Sequence, residues 1–317
     1  MSPVPAPPDN SSAPAPATGP GASLAGLWYA LAACTVWGLF PLYIKGMSQA
    51  NPLEILCHRI IWSMPVTAIM VALRRGWPEL ALALRRPGVL MTLMGSALFI
   101  TFNWLGYIYA VNSGQVLQAS LAYFIYPLLN ALLGRVFLGE RLRRGQVGGV
   151  ALALSGTLVL AIGYGQTPWL ALMLASFFAC YGLLRKRVAI DAVGGLFVET
   201  ALLTPLALAC LWVLDSRGQM AFFRASWSTQ TLLLAAGLAT SLPLVWFTRA
   251  ARRLSLTALG MCNYVGPSLQ FLLAVFLYNE PFTGIHMVSF GLIWGGLVLF
   301  MAEMANQQRK IAQRAAG

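Results

Sequence analysis

Glu54, His58 and Arg59 stand at the start of the run Leu53 to Val71, most of whose other members are apolar. On a helix Glu54 and His58 lie one turn apart, and Arg59 follows directly. A carboxyl in such a run can carry a proton, an imidazole titrates near neutral pH, and a guanidinium can hold an anionic group or pair with Glu54. The plainer role for the same three residues is an internal ion pair that fixes helix packing or snorkels outward. Glu199 is a second isolated carboxyl, near the start of another apolar run. It is a candidate for proton coupling, with a bond to the nearby Arg185, Lys186, Arg187 segment as its plainer role.

Ser120, Tyr123, Pro127 and Asn130 recur at i, i+3, i+7 and i+10, one face of a helix. Asn263, Pro267 and Gln270 repeat the pattern later, with Tyr126 and Tyr264 beside the two stripes. Asn103, Trp104 and Tyr107 form a third group. A charge at the centre of a membrane helix costs about 2.5 to 3.5 kcal/mol, and polar groups there turn toward the bundle interior. Asn103, Trp104, Tyr107, Tyr123, Tyr126, Asn130, Asn263, Tyr264 and Gln270 are therefore the candidate substrate-binding set, an amphipathic pocket wall. Pro127 and Pro267 each remove a backbone donor and free a carbonyl one turn back, which makes a kink that can serve as a hinge. With Glu54, His58, Arg59 and Glu199 they form the candidate coupling and gating set, and a bend made only for packing is their plainer reading.

These residues need long apolar elements to hold them. The chain has 317 residues, 58% of them hydrophobic and only 9% charged, with a mean hydropathy of +0.71. Too few polar side chains remain to cover a soluble globule of this size, so lipid must face much of it. Solid apolar stretches of about 18 to 25 residues recur, which fits membrane helices and excludes the short alternating strands of a β-barrel. The predicted spans are 26–45, 53–73, 88–111, 116–138, 146–163, 168–184, 194–214, 229–248, 256–278 and 285–302. The fold class is thus all-α integral membrane with ten helices.

The formal charge of +12 sits in loops and does not interleave with stacking aromatics, so nucleic acid is not an expected partner. With the amino terminus in the cytoplasm, the inner loops hold Arg74, Arg75, Arg85, Arg86, then Arg141, Arg143, Arg144, then Arg185, Lys186, Arg187, then Arg249, Arg252, Arg253. The outer loops keep only Lys45, Arg217 and Arg224, so the positive-inside rule puts both termini in the cytoplasm. Trp28, Trp77 and Trp169 suit an interfacial belt. Seven prolines among the first twenty residues mark Met1 to Ser23 as a disordered tail, and no Lys or Arg precedes Lys45 to make a signal peptide. Cys34, Cys57, Cys180, Cys210 and Cys262 fall inside apolar spans without CxxC spacing, so neither disulfides nor a metal site is expected. No phosphate loop, HExxH or GxSxG is present either, which disfavours an ATP-driven pump or an ordinary hydrolase, and no cofactor is expected.

The segment from Pro127 to Glu140 is echoed from Pro267 to Glu280, and Trp37-Gly38-Leu39 by Tyr181-Gly182-Leu183, with Glu54 set against Glu199. Five helices per half is an odd number, so the second half enters the membrane upside down. An inverted repeat of this kind supplies two related conformations for alternating access to a midplane site. Gly145 and Gly149, and Gly291 and Gly295, place a GxxxG in the last helix of each half, where intramolecular packing is the simpler reading and dimerisation the other.

The chain resembles the RarD family of the EamA branch, within the drug/metabolite transporter superfamily. The resemblance rests on Trp37-Gly38 with Pro41, Glu54 through Ser63 with its Cys57-His58-Arg59, Asn103-Trp104, Ala119-Ser120 through Tyr126-Pro127, Leu138-Gly139-Glu140-Arg141, Tyr181-Gly182 with Arg185-Lys186, Glu199-Thr200, and Tyr264 with Gly266-Pro267 and Glu280. It covers nearly the whole membrane part and departs where Tyr126 stands before Pro127, a place where an amide is common in the family. It implies two inverted five-helix halves, 25–163 and 164–302, flanked by cytoplasmic tails at 1–24 and 303–317. It also implies a bacterial inner-membrane carrier that works without ATP, with members labelled as chloramphenicol permeases. The expected function is secondary transport of small amphipathic metabolites or drugs, chloramphenicol among the candidates, with protons as coupling ion and the lipid bilayer and a small solute as partners, in a monomer or homodimer. The rival readings are a membrane enzyme using Glu54 and His58 as acid and base on a lipid-linked substrate, and a non-transporting accessory or sensor protein.

Overall fold

The computed structural model describes the backbone of residues 20–138, 144–163, 168–251, 253–254, 259 and 262–316, and their side chains apart from 20–23, 130–131, 134–135, 138, 304–305 and 307–316. Among these residues every regular element is helical: α1 Pro20–Gly38, α2 Phe40–Lys45, α3 Pro52–Leu73, α4 Trp77–Leu84, α5 Val89–Asn112 and α6 Val116–Leu138. The series continues with α7 Arg144–Gly163, α8 Trp169–Lys186, α9 Ala192–Ser216, α10 Trp227–Ala251, α11 Val265–Leu272 running on into a π-helical turn Leu273–Leu277, and α12 Gly284–Ala316. Eight stretches among the described residues are long and apolar enough to cross a bilayer. The apolar parts Val116–Leu129 of α6 and Val265–Leu277 of α11 are shorter. Large side chains such as Leu73, Ile162, Leu206 and Phe276 stand exposed on the outside of the bundle, a surface suited to lipid. The protein is a multi-pass membrane protein.

Local chemistry sets the ends of these elements. Asn51 caps α3 by accepting from the Leu53 amide at 2.9 Å, with Pro52 opening the helix, and Asp191 caps α9 through Val193 and Gly194. Gly88 (φ 79°) precedes α5 and Gly114 (φ 69°) follows it, both in the left-handed region that a side chain disfavours. The first span is broken between α1 and α2 at Leu39. Pro41 there cannot donate to the Trp37 carbonyl, and the Gln270 side-chain amide takes that carbonyl instead, at 3.0 Å. The loop expected after α3 contains α4, which opens on Trp77-Pro78 and buries Leu80 against Val193 and Leu93. The last helix runs on to Ala316, well past the expected end at 302.

The tightest packing is where backbones meet. A side chain at Gly149 would fall 2.6 Å from the Gly296 carbonyl oxygen, and one at Gly156 2.6 Å from that of Ser289, whose own hydroxyl donates to the Gly156 carbonyl at 2.6 Å. This seam joins α7 to α12 within one chain. Gly291 and Gly295, the expected partners on α12, have open space beside them; Gly296, the next residue, turns inward. Gly237 of α10 likewise lies against the Trp62 carbonyl of α3.

Candidate functional site

The three residues at the start of α3 go to three different places. Glu54 is fully buried, and its carboxylate accepts from the Ala221 amide at 2.9 Å and the Phe222 amide at 2.8 Å, so it ties α3 to the segment between α9 and α10. His58 accepts from the Trp62 indole N–H at 3.1 Å, and its ring stacks on Phe222 at 4.9 Å. Its Nε2 is buried without a described partner. Arg59 turns toward α5 and α10: its Nε donates to Thr240 at 2.9 Å, and its guanidinium lies 4.0 Å from the Trp104 ring centroid and 4.9 Å from that of Phe40. An ion pair of Arg59 with Glu54 is thus not formed.

The expected pocket set divides in the same way. Trp104, Tyr107 and Tyr123 surround Arg59 and continue as a chain of rings, with Tyr107 and Tyr123 5.9 Å apart, Tyr123 and Phe178 5.8 Å, Tyr126 and Phe178 4.6 Å, and Phe178 and Tyr181 6.0 Å. Tyr123, Tyr126, Phe178 and Tyr181 are half-buried. Asn103, by contrast, is buried and donates to the Leu174 carbonyl at 2.9 Å, fastening α5 to α8. Gln270 is occupied by the carbonyl that Pro41 frees. Tyr264 stacks against Phe124 at 6.4 Å, and Asn263 is exposed beside Cys34. The Asn130 side chain lies outside the described residues.

The two stripe helices meet each other, since the Ser120 hydroxyl donates to the Pro267 carbonyl at 2.9 Å. Their prolines differ in setting. Pro127 lies in the middle of α6, whereas Pro267 stands just after a break: residues 262–263 are helical, Tyr264 interrupts the helix, and α11 resumes at Val265.

Glu199 sits at the far end of the ring chain. It is fully buried, accepts from Ser96 at 2.5 Å, lies 3.8 Å from Arg185 Nε and has Tyr181 beside it. Arg185 reaches it by crossing Gly195, where a side chain would collide with the guanidinium, and also donates to the Asp191 carbonyl at 2.9 Å. Glu199 comes eight residues after its helix cap, as Arg59 does, whereas Glu54 is in the first turn of α3. By position Glu199 therefore matches Arg59 and not Glu54. At the end of the molecule that carries Glu54, Glu280 accepts from the Val116 and Leu117 amides, both at 2.7 Å, and so holds the first turn of α6. Burial raises its carboxyl pKa against the downward pull of those amides and of Lys45. Its sequence echo, Glu140, lies outside the described residues.

Known proteins resolve what kind of molecule this is. The EamA-like transporter family matches residues 24–162. An uncharacterized transporter of Vibrio cholerae is 42% identical over 88% of this chain and 92% of its own, and protein RarD of Escherichia coli is 41% identical over 91% and 97%. The chain belongs to the EamA-like transporter family, in its RarD group. A chloramphenicol-sensitive protein RarD of Pseudomonas aeruginosa is more distant, 33% identical over 91% of this chain and 97% of its own. A solved crystal structure with 22% identity shares the fold, with a TM-score of 0.56 over 88% of this chain and 96% of that one.

In this RarD-group chain several residues of the site carry no sequence signal. Tyr43, which donates to the Leu232 carbonyl, Thr240 beside Arg59, and Phe178 in the ring chain look like ordinary members of apolar helices. Ser96 is equally plain until the fold brings it to Glu199, whereas the approach of Arg185 to Glu199 is the plainer role expected from the sequence. The i, i+3 spacing of Phe178 and Tyr181 is masked because nearly every neighbour is apolar as well.

Proposed function

We propose that this RarD-group protein is a secondary transporter that carries small amphipathic metabolites or drugs across the bacterial inner membrane by alternating access. The chain crosses ten times as two inverted halves, 25–163 and 164–302, with both termini in the cytoplasm. The observation that carries this reading is the pattern of helix neighbours. Exchange the halves, so that α1, α3, α5, α6 and α7 trade places with α8, α9, α10, α11 and α12. The pairs α3 with α9 and α7 with α12 map onto themselves, α5 with α8 becomes α10 with α1, α6 with α8 becomes α11 with α1, and α3 with α10 becomes α9 with α5. All of these are contacts in the fold. A molecule whose packing survives that exchange has a second conformation of similar energy available to it, facing the opposite side.

Sequence register supports the same reading: Asn51 and Asp191, Arg59 and Glu199, and Pro65 and Pro205 all stand 140 residues apart. Orientation is supported by charge. Arg74 pairs with Asp191 at 3.5 Å and Arg249 and Arg253 lie over Tyr29, so the basic helix ends meet other cytoplasmic segments. The site is the ring chain between Arg59 and Glu199, with Glu199 as the proton-coupling group. Both Glu54 oxygens are held by amides, so the carboxylate offers no support for acid and base catalysis with His58 on a lipid-linked substrate.

The test is transport by purified protein in liposomes, with a panel of labelled amphipathic solutes, with and without an imposed pH gradient. Chloramphenicol belongs in the panel because a Pseudomonas relative is named for sensitivity to it. Accumulation driven by the gradient is the expected result. Absence of flux for every solute, from folded protein, removes the transporter reading.

A further inference from the structure

Resting on the transporter reading, we propose that Arg59 is the recognition point for a carboxylate, and that the solute is an amphipathic monocarboxylate with an aromatic or apolar body and no required amine. The first observation is an accounting of charge. The chain has nine acidic residues, of which Asp9 and Glu140 lie outside the described residues. Glu54 and Glu280 are taken by backbone amides, Asp191 and Glu199 by Arg74 and Arg185, Glu79 and Asp215 are exposed to the outside, and Glu303 lies against Gly145. None of these seven pairs with Arg59. A guanidinium two turns into a membrane span thus has aromatic faces and one hydroxyl for company, and no counter-charge among the described residues.

The second observation is the state of its donors. Nε is spent on Thr240, while the two terminal nitrogens make no hydrogen bond to a described residue. Arg59 is only half-buried although Phe40, Trp104, Tyr107 and Thr240 around it are buried. The hydroxyl of Tyr107 is itself buried with no described partner. The paired terminal nitrogens of a guanidinium match the two oxygens of a carboxylate, and a phenol beside them can donate a third bond.

The surroundings choose among anions. One unpaired cation balances one negative charge, which suits a carboxylate better than a phosphate dianion. The half-buried rings of Tyr123, Phe178 and Tyr126, which lead away from Arg59, offer stacking for an apolar body. A zwitterion would bring an ammonium group to a cage in which no described carboxylate is free to receive it.

The experiment uses the full chain in lipid nanodiscs for binding and in liposomes for flux, with four probes: 3-phenylpropionate, its primary amide, phenylalanine and chloramphenicol. Binding of the acid at least about tenfold tighter than of the amide or phenylalanine is expected, with Arg59→Lys keeping part of that preference and Arg59→Gln losing it. Equal binding of acid and amide by the wild type overturns the proposal without recourse to any variant, so misfolding of Arg59→Gln cannot shelter it. A preference that survives in folded Arg59→Gln overturns it too, as does tighter binding of phenylalanine. Flux of chloramphenicol or the amide, but not of the acid, leaves the transporter reading intact and removes this one. Arg59-dependent binding of the acid with no flux of any probe does the reverse. Failure of all four probes to bind removes the carboxylate site.

Discussion

Glu54 and Glu199 look alike in the sequence, each a lone carboxyl near the start of an apolar run, and they differ in what holds them. Glu54 accepts from two amides in a fixed geometry, a role that a proton would disrupt. Glu199 faces only side chains, those of Ser96, Arg185 and Tyr181, with Oε2 lacking a described hydrogen-bond partner. A carboxyl held by side chains, with one oxygen left over, can exchange a proton without breaking a backbone anchor. Glu199→Gln keeps the shape and the bond to Ser96 but cannot ionise. Gradient-driven accumulation in liposomes should fall to the equilibrium level in this variant, while exchange of labelled for unlabelled solute without a gradient continues. Accumulation that persists in Glu199→Gln would assign the residue to packing with Arg185. The residue types for this distinction were legible in the sequence; the number of amides facing each carboxyl was not, because Ala221 and Phe222 lie 167 and 168 residues from Glu54.

At the scale of elements, the paired prolines of the two stripes are not mechanically equivalent. Pro127 leaves the Tyr123 carbonyl without its usual donor inside a continuous α6, whereas Pro267 follows a break at Tyr264 that already separates α11 from the helical residues 262–263. Pro127→Ala restores that bond and stiffens α6. It should slow exchange by about tenfold, equivalent to about 1.4 kcal/mol in the barrier, with Pro267→Ala staying within about twofold of wild type. Equal slowing by both, measured as rates at saturating solute, would return the hinge to the symmetric form that the sequence implies. Of the ten apolar runs expected as spans, eight are long enough to cross a bilayer among the described residues, and the two that carry these prolines have shorter apolar parts. The break at Leu39, helix α4 and the inward turn of Gly296 in place of Gly295 were not legible in the sequence. Each depends on what lies opposite: the Gln270 amide, the surface near Val193, the Gly149 backbone.

For the whole molecule, the proposed exchange of halves requires contacts at one end to open. Gln49 accepts from the Ser226 amide at 3.0 Å at the end that also carries the Glu54 and Glu280 anchors. Cysteines placed at Gln49 and Ser226 and joined by a short thiol-directed crosslinker should arrest flux by at least about tenfold. A crosslinker that contains a disulfide lets reductant restore it. Full flux through the crosslinked protein would show that this end does not need to open. The native cysteines Cys34, Cys57 and Cys262 are buried, and a protein carrying no added cysteine controls for Cys180 and Cys210.

Sequence by itself determined that the chain lives in a membrane as a multi-pass helical protein and that it resembles the RarD family. Hydropathy and motif order are properties of the chain read in one dimension, and lipid imposes helices wherever a long apolar run occurs. Tertiary structure alone decided which polar residues face one another. In a helix that is apolar on all sides no periodic stripe marks the inner face, so Asn103 and Gln270 read as pocket residues until Leu174 and Trp37 were found to occupy them. Arg59 and Glu54, five positions apart and of opposite charge, read as a pair until the fold turned one toward Trp104 and gave the other two amides from a distant loop.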